Sequence, residues 1–279
     1  MICAVVGAGF VLNSVRLNAH GIKNALNPKY WTERMVGADL FNPSNAILKR
    51  GPRELPIVCL TIDDGPHDSL PGILATLKAN HVKATFFVVG IRVKERPQMV
   101  RNMLAQGHEV GNHTQDHQRL DKLTLDQVRM EFANCATNVN RATGYGMKLM
   151  RPPGMRFTEP ILELAKKMGY VTVGWTVGAK DFTPVIKAGQ PTPEQQLALD
   201  STPDLVAKRV LANVENGSII LLHDNKMTAQ ALPQIIQGVK AKGLTFVTVA
   251  QMLAKLPQPV VLEANPRTKK VVATVSARY

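Results

Sequence analysis

The sequence predicts an α/β chain folded as a (β/α) barrel of about seven strand–helix units, closed or incomplete, rather than an open doubly wound sheet. Two observations carry this. From Leu55 onward, apolar β-rich runs alternate with segments of helical period. Continuous apolar strands separated by helices imply a parallel sheet covered on both faces. Chemically capable polar residues also gather where those runs end, the edge on which barrels of this type build their sites.

The elements follow in order. PIVCLTI (56–62) predicts the first strand and LPGILATLKAN (70–80) its helix; KATFFVVG (83–90) and RPQMVRNMLAQG (96–107) repeat the pair. HEVGN (108–112) precedes the long helical segment LTLDQVRMEFANCATNVNRATG (123–144), and MKLM (147–150) precedes EPILELAKKMG (159–169). YVTVGWTV (170–177) predicts one further strand before the helix PDLVAKRVLANVENG (203–217). SIILLHD (218–224) leads into ALPQIIQGVKAKG (231–243), and LTFVTVAQML (244–253) closes the series. Gly107, Gly144, Gly169, Gly217 and Gly243 stand where helices should stop, as C-terminal caps. Residues 183–203 interrupt the alternation with a Pro-rich loop placed to rim a site.

The regular pattern occupies 53–255. Residues 1–52 read as an N-terminal extension with turn signals at Asn27-Pro28, Asn42-Pro43 and Gly51-Pro52, and with Trp31 and Phe41 to dock on a neighbouring domain. Its first stretch, MICAVVGAGFVLNSV, is apolar over about 15 residues, short of the ~20 a bilayer span needs and without a basic leader. It reads either as the remnant of a signal or anchor or as a packed helix or strand. Residues 256–279 form a basic tail containing Arg267, Lys269 and Lys270, with a short strand expected at KVVATVS (270–276).

A hydrophobic fraction of 45% and a mean hydropathy of −0.05 are those of a globular chain. The net charge of +13 favours polyanionic surroundings: wall polymer, membrane surface or nucleic acid. Nucleic acid is disfavoured, because the basic residues are scattered and aromatics make up only 5%. Cys3, Cys59 and Cys135 form no metal or redox pattern, and an odd, sparse set argues against a disulfide scaffold. Cys59, inside PIVCLTI, is expected to be buried.

The strand ends carry the chemistry. Asp63 and Asp64 end the first strand, and neighbouring strand residues point to opposite faces, so two adjacent carboxylates can take different jobs. One can bind a cation while the other stays free as a base. His113 and His117 follow HEVGN; four apart, they would share a face if they sat on a helical turn. Two histidines and one aspartate leave positions open for water and substrate, as a catalytic metal requires. Arg151 ends MKLM, Trp175 lies in the fifth run with Asp181 just beyond it, and His223 and Asp224 end SIILL.

TIDDGP, HTQDH, RPPG, the Trp175–Asp181 segment and ILLHD occur in the order of the polysaccharide deacetylases. The chain resembles these NodB-homology enzymes, carbohydrate esterase family 4, over roughly residues 55–254. The resemblance implies a distorted (β/α) barrel and metal-dependent removal of N-acetyl groups from GlcNAc-type polymers, or of O-acetyl groups from xylan. It implies Asp64, His113 and His117 as ligands of one divalent ion, zinc by preference with cobalt or nickel as substitutes. It implies Asp63 as catalytic base, Arg151 as the group that orients it, His223 as general acid and Asp181 as the carboxylate that holds His223. Leu221 resembles the leucine of the acetyl-methyl pocket, and the N–H of Gly154 is the expected oxyanion donor. Trp175 and Phe182 are expected on the substrate side.

Two departures stand out. Gly154-Met155 follows RPP where the family often has Tyr, and Asp181-Phe182 replaces the usual Asp-Trp. Asp224 is expected to cap the helix that follows it. The expected partner is an N-acetylated polysaccharide such as peptidoglycan, chitin-like polymer or poly-GlcNAc, met outside the cytoplasmic membrane with wall or membrane association. The competing readings are an acetyl xylan esterase and a glycan-binding pseudoenzyme.

Overall fold

The computed structural model describes residues 47–182, 184 and 190–256, together with the backbone of Val260–Ala264 and Val271–Val275. The N-terminal apolar stretch, Cys3, Trp31, Phe41, Arg267, Lys269 and Lys270 lie outside the described residues.

One sheet holds nine strands: β1 (Ile47–Leu48), β2 (Ile57–Asp63), β3 (Thr85–Val88), β4 (Glu109–Asn112), β5 (Leu149–Met150), β6 (Val171–Val173), β7 (Val177–Gly178), β8 (Ile219–His223) and β9 (Thr245–Val247). Their order is β1-β6-β5-β4-β3-β2-β8-β7, with β9 paired to β2, and every pairing is parallel. Between them run α1 (Leu70–Ala79), α2 (Gly90–Glu95), α3 (Pro97–Ala105), α4 (Leu125–Thr143), α5 (Glu159–Lys167), α6 (Pro193–Leu199), α7 (Pro203–Asn213) and α8 (Lys226–Ala241); α9 (Val249–Leu253) follows β9. β10 (Val260–Ala264) and β11 (Val271–Val275) make a separate antiparallel pair, the second within the stretch where a short strand is expected.

YVTVGWTV is two strands rather than one. β6 lies near one end of the sheet and β7 at the other, yet only residues 174–176 separate them. The sheet therefore curls round into an incomplete barrel. The backbone switches partners at this break: Gly174 N–H donates to Leu48 O at 2.8 Å, and Thr176 N–H donates to Ile219 O at 3.0 Å. LTFVTVAQML also divides, because Thr248 starts α9 with a capping box to Gln251. β1 falls before residue 53, so the sheet begins inside the stretch read as an extension.

Strand alternation builds two cores. From β2, Val58, Leu60 and Ile62 pack outward against the helices, while Ile57 and Cys59 face inward with Phe87, Leu149, Val173 and Ile219. Val249, Met252 and Leu253 of α9 join the inner cluster. Gly111 is required there, since a Cβ would stand 2.6 Å from the Phe87 ring. Along the inner face β2 reads Ile57, Cys59, Thr61, Asp63, apolar at one end and polar at the C-terminal edge, the edge where barrel sites are built. Cys59 and Cys135 are free and buried, and burial pushes both thiols up, Cys135 to about 12.

Of the five expected caps, Gly144 ends α4 in the left-handed region (φ 72°). Gly217 does not end a helix: α7 stops at Asn213, and Gly217 turns the chain into β8 with φ 75°, where a Cβ would lie 2.5 Å from Gly51 O. Among the described residues no helix is long and apolar enough to cross a membrane.

Candidate active site

Asp63 and His223 are register partners at the ends of β2 and β8. Strand alternation alone would turn Asp64 away from Asp63. Asp64 instead takes a left-handed backbone (φ 72°), a conformation Asp tolerates better than most residues, and both carboxylates line one cavity. The adjacent pair thus shares a site while standing in different surroundings.

Asp64 Oδ1 lies 3.3 Å from His113 Nε2 and 3.1 Å from His117 Nε2. The ligand atoms of the three residues lie within 4.8 Å of one another. Asp64 Oδ1 is buried and accepts no hydrogen bond of acceptable geometry. His113 Nδ1 is 2.8 Å from Arg151 O, an acceptor only, so Nδ1 carries the proton and Nε2 presents its lone pair toward Asp64. A buried orphan oxygen facing two imidazole nitrogens fits a divalent cation, with coordination positions left open.

The two histidines do not share a helical turn. Thr114 (φ 68°) and His117 (φ 57°) are left-handed, and the segment is a loop fastened by side chains. Asn112 Oδ1 accepts from Thr114 N–H at 2.8 Å, and Thr114 Oγ1 accepts from His117 N–H at 3.1 Å. Glu131 Oε2, on α4, accepts from the N–H groups of Gln115 and Asp116 at 2.9 and 3.0 Å.

Asp63 meets a different partner. Arg151, fully buried, donates through Nη1 to Asp63 Oδ1 at 2.7 Å and to Thr61 Oγ1 at 2.9 Å. Its Nε and Nη2 donate to Val173 O and Gly174 O at 3.0 and 2.9 Å, and its guanidinium lies 4.2 Å from the Phe87 ring centroid. Burial lowers the Arg151 pKa and Asp63 opposes that shift.

His223 is held by Asp181 from two sides. Its Nδ1 lies 2.9 Å from Asp181 Oδ1, and its backbone N–H donates to Asp181 Oδ2 at 2.7 Å. Thr228 Oγ1 also donates to that carboxylate, and Asn225 Nδ2 donates to Asp181 O at 2.8 Å. Burial lowers the His223 pKa; Asp181 first, then Asp64 and Asp63, overcome it and raise the imidazole to about 9. Asp224 does not cap α8. The cap is Asn225, whose side chain accepts from Thr228 N–H, while Asp224 is buried and turns toward the loop after β2.

A cavity of about 320 Å³ joins these groups, lined by Asp63, Asp64, His113, His117 and His223. Gly154, Trp175, Phe182 and Leu221 line it too, with the Phe182 ring 5.9 Å from that of His223. Gly154 is left-handed (φ 56°). Arg156, Lys180 and Glu194 also stand on the wall, the last two as an ion pair, and Glu194 lies on α6, a helix within the stretch read as a Pro-rich loop. Thr61 and Glu131 carry the weakest sequence signals among the residues that support the site. Thr61 is the inner-face neighbour of Asp63 on β2, two residues away. Glu131 interrupts the buried stripe Val128, Phe132, Cys135, and a carboxylate in such a stripe needs a partner.

A set of residues able to hold a cation, a buried carboxylate and a histidine held by an aspartate thus stand together on the C-terminal edge of a parallel barrel, where such folds build their sites. The model of the family Polysaccharide deacetylase matches residues 50–173. The chain is 35% identical over 197 residues to the peptidoglycan-N-acetylglucosamine deacetylase PgdA of Listeria monocytogenes, covering 70% of this chain and 38% of that protein. It is 34% identical over 208 residues to a peptidoglycan-N-acetylglucosamine deacetylase of Bacillus cereus, covering 72% of this chain and 70% of the relative. The solved Bc1960 peptidoglycan N-acetylglucosamine deacetylase superposes with a TM-score of 0.68 at 31% identity, over 79% of this chain and 96% of that one. The chain belongs to the polysaccharide deacetylase family.

Proposed function

We propose that this protein is a metal-dependent N-deacetylase acting on GlcNAc residues of peptidoglycan. The observation that carries this is the division between two adjacent carboxylates: Asp64 faces two imidazoles, while Asp63 is bound to Arg151. Asp64, His113 and His117 would hold one divalent ion, zinc by preference. Bound there, it supplies Lewis-acid polarisation of the acetyl carbonyl and acidifies water.

The chain's own groups do the rest. Asp63 takes a proton from the attacking water, and Arg151 keeps its carboxylate aimed at the cavity. The developing oxyanion is met by the Gly154 N–H. The C–N bond breaks as His223 passes its Nε2 proton to the departing nitrogen, releasing acetate and leaving a free amine on the sugar. Leu221 borders the acetyl methyl, and Trp175 and Phe182 offer flat apolar faces to sugar rings.

Peptidoglycan is favoured over xylan or neutral chitin by the relatives' substrates and by charge. Arg156 stands on the cavity wall of a chain carrying +13, and wall glycan bears the carboxylates of its stem peptides. Action on that polymer would take place outside the cytoplasmic membrane. Incubation with peptidoglycan, chitooligosaccharides, poly-GlcNAc and acetylated xylan, with and without zinc, tests this. The expected product is amine-bearing GlcNAc in peptidoglycan, formed only with metal; a preference for acetylated xylan over every GlcNAc polymer would overturn it.

The acid role of His223 has a pH signature. An imidazole raised from ~6.5 to about 9 keeps its proton through neutral pH, so the alkaline fall of kcat/KM lies high. The same shift contributes stability that is full below the unfolded pKa and is lost as pH rises through about 9. Asp181→Asn removes the main raising cause, and the alkaline limb of the pH–rate profile is expected to move down by about one unit or more. An unmoved limb would show that another group sets it.

A further inference from the structure

The turn that carries Asp64 is held from outside the cavity. Asp64 occupies a left-handed conformation (φ 72°) that a non-glycine residue adopts only at a cost, so something must keep it there. Three successive carbonyls of the turn are occupied: Asp63 O accepts from Asp224 N–H at 2.9 Å, Asp64 O accepts from Arg92 Nη1, and Gly65 O accepts from Val89 N–H at 2.9 Å. On the far side of the turn, Asp224 Oδ2 accepts from His67 N–H at 2.7 Å and Asp224 Oδ1 accepts from Ser69 Oγ at 2.6 Å.

Asp224 is 2% exposed and is not among the residues lining the catalytic cavity. Its carboxylate sits directly under the turn, where a Cβ on Gly65 would stand 2.9 Å from Oδ2. Both of its side-chain bonds go to the loop after β2, and its own N–H grips the last carbonyl of that strand. It is also the residue after His223, so a single dipeptide contacts both the Asp63–Asp64 turn and Asp181.

We propose that Asp224 is a positioning residue for Asp64, fastening the 64–69 turn so that Asp64 Oδ1 faces His113 and His117, and that it thereby sets the metal affinity of the site. This rests on the metal reading above. It assigns Asp224 no contact with substrate.

The test is zinc affinity, measured on the full chain by competition with a chromophoric chelator, alongside thermal unfolding. Asp224→Asn keeps the shape but loses the charge, and its single amide oxygen can accept from His67 N–H or from Ser69 Oγ, not from both. Zinc binding is expected to weaken ~10–100-fold. Ser69→Ala, which removes one of the two bonds from a half-buried position, is expected to weaken it less and serves if Asp224→Asn does not fold. Glu109→Gln is the control. Glu109 is a comparably buried carboxylate that accepts from Thr85 Oγ1 and Ala250 N–H, away from this turn. It should lower the unfolding temperature without changing zinc affinity. Wild-type affinity in folded Asp224→Asn, or equal weakening in Glu109→Gln, would overturn the inference alone. No zinc binding by the unaltered protein would overturn the metal reading and this inference with it.

Discussion

Asp63→Asn is expected to lower turnover by ~10²–10⁴-fold with the fold intact. The substitution preserves volume, and an amide oxygen still accepts from Arg151 Nη1, so the 2.7 Å contact has a neutral replacement. What disappears is the ability to take a proton from water beside a cation. His223→Ala should fall in the same range for the opposite reason, since the departing nitrogen then leaves unprotonated. Acetate release under saturating substrate, with unfolding temperatures for each variant, checks this. Turnover within about threefold of wild type in Asp63→Asn would remove Asp63 from the role of base.

Arg151→Met is expected to be the most destabilising single change on this edge. Arg151 is fully buried and makes four hydrogen-bonded contacts, to Asp63, Thr61, Val173 O and Gly174 O. Methionine fills much of the space over Phe87 but leaves a buried carboxylate and two carbonyls without donors. Breaking a buried ion pair from one side costs ~3–5 kcal/mol, and at ~2–4 °C per kcal/mol for a domain of this size the unfolding temperature should fall by roughly 10 °C. Arg151→Lys should not rescue it, because an ammonium cannot reproduce the planar fork. The same change made in the Asp63→Asn background should cost less, since no charge is stranded. Equal losses in both backgrounds would mean that the carbonyl contacts, not the ion pair, dominate.

The alternation of apolar runs and helical segments, read from Leu55, led to the barrel because strands buried on both faces carry that pattern wherever they occur. The strand-end residues led to the site for a similar reason: Asp63, Arg151 and His223 terminate or directly follow their strands, so position along the strand fixes position in space. The remainder depended on backbone detail that composition does not encode. Nothing local in HTQDH distinguishes a helical turn from a loop with left-handed Thr114 and His117; Asn112 and Glu131, one of them on α4, decide it. YVTVGWTV reads as one strand because its break at Gly174 is made by partners from β1 and β8, far away in sequence. Asp224 reads as a helix cap because it precedes a helix by two residues; Asn225 takes that role, and Asp224 finds His67 and Ser69 across 157 and 155 residues of chain.

The central claim is that two adjacent aspartates do different work, one holding a cation and one moving a proton. Zinc content, measured side by side in purified Asp63→Asn and Asp64→Asn after loading with one equivalent and desalting, tests it most directly. The account predicts close to one zinc per chain in Asp63→Asn, whose neighbour remains the ligand, and little or none in Asp64→Asn. Equal loss of metal from both variants, or loss from Asp63→Asn alone, would contradict it.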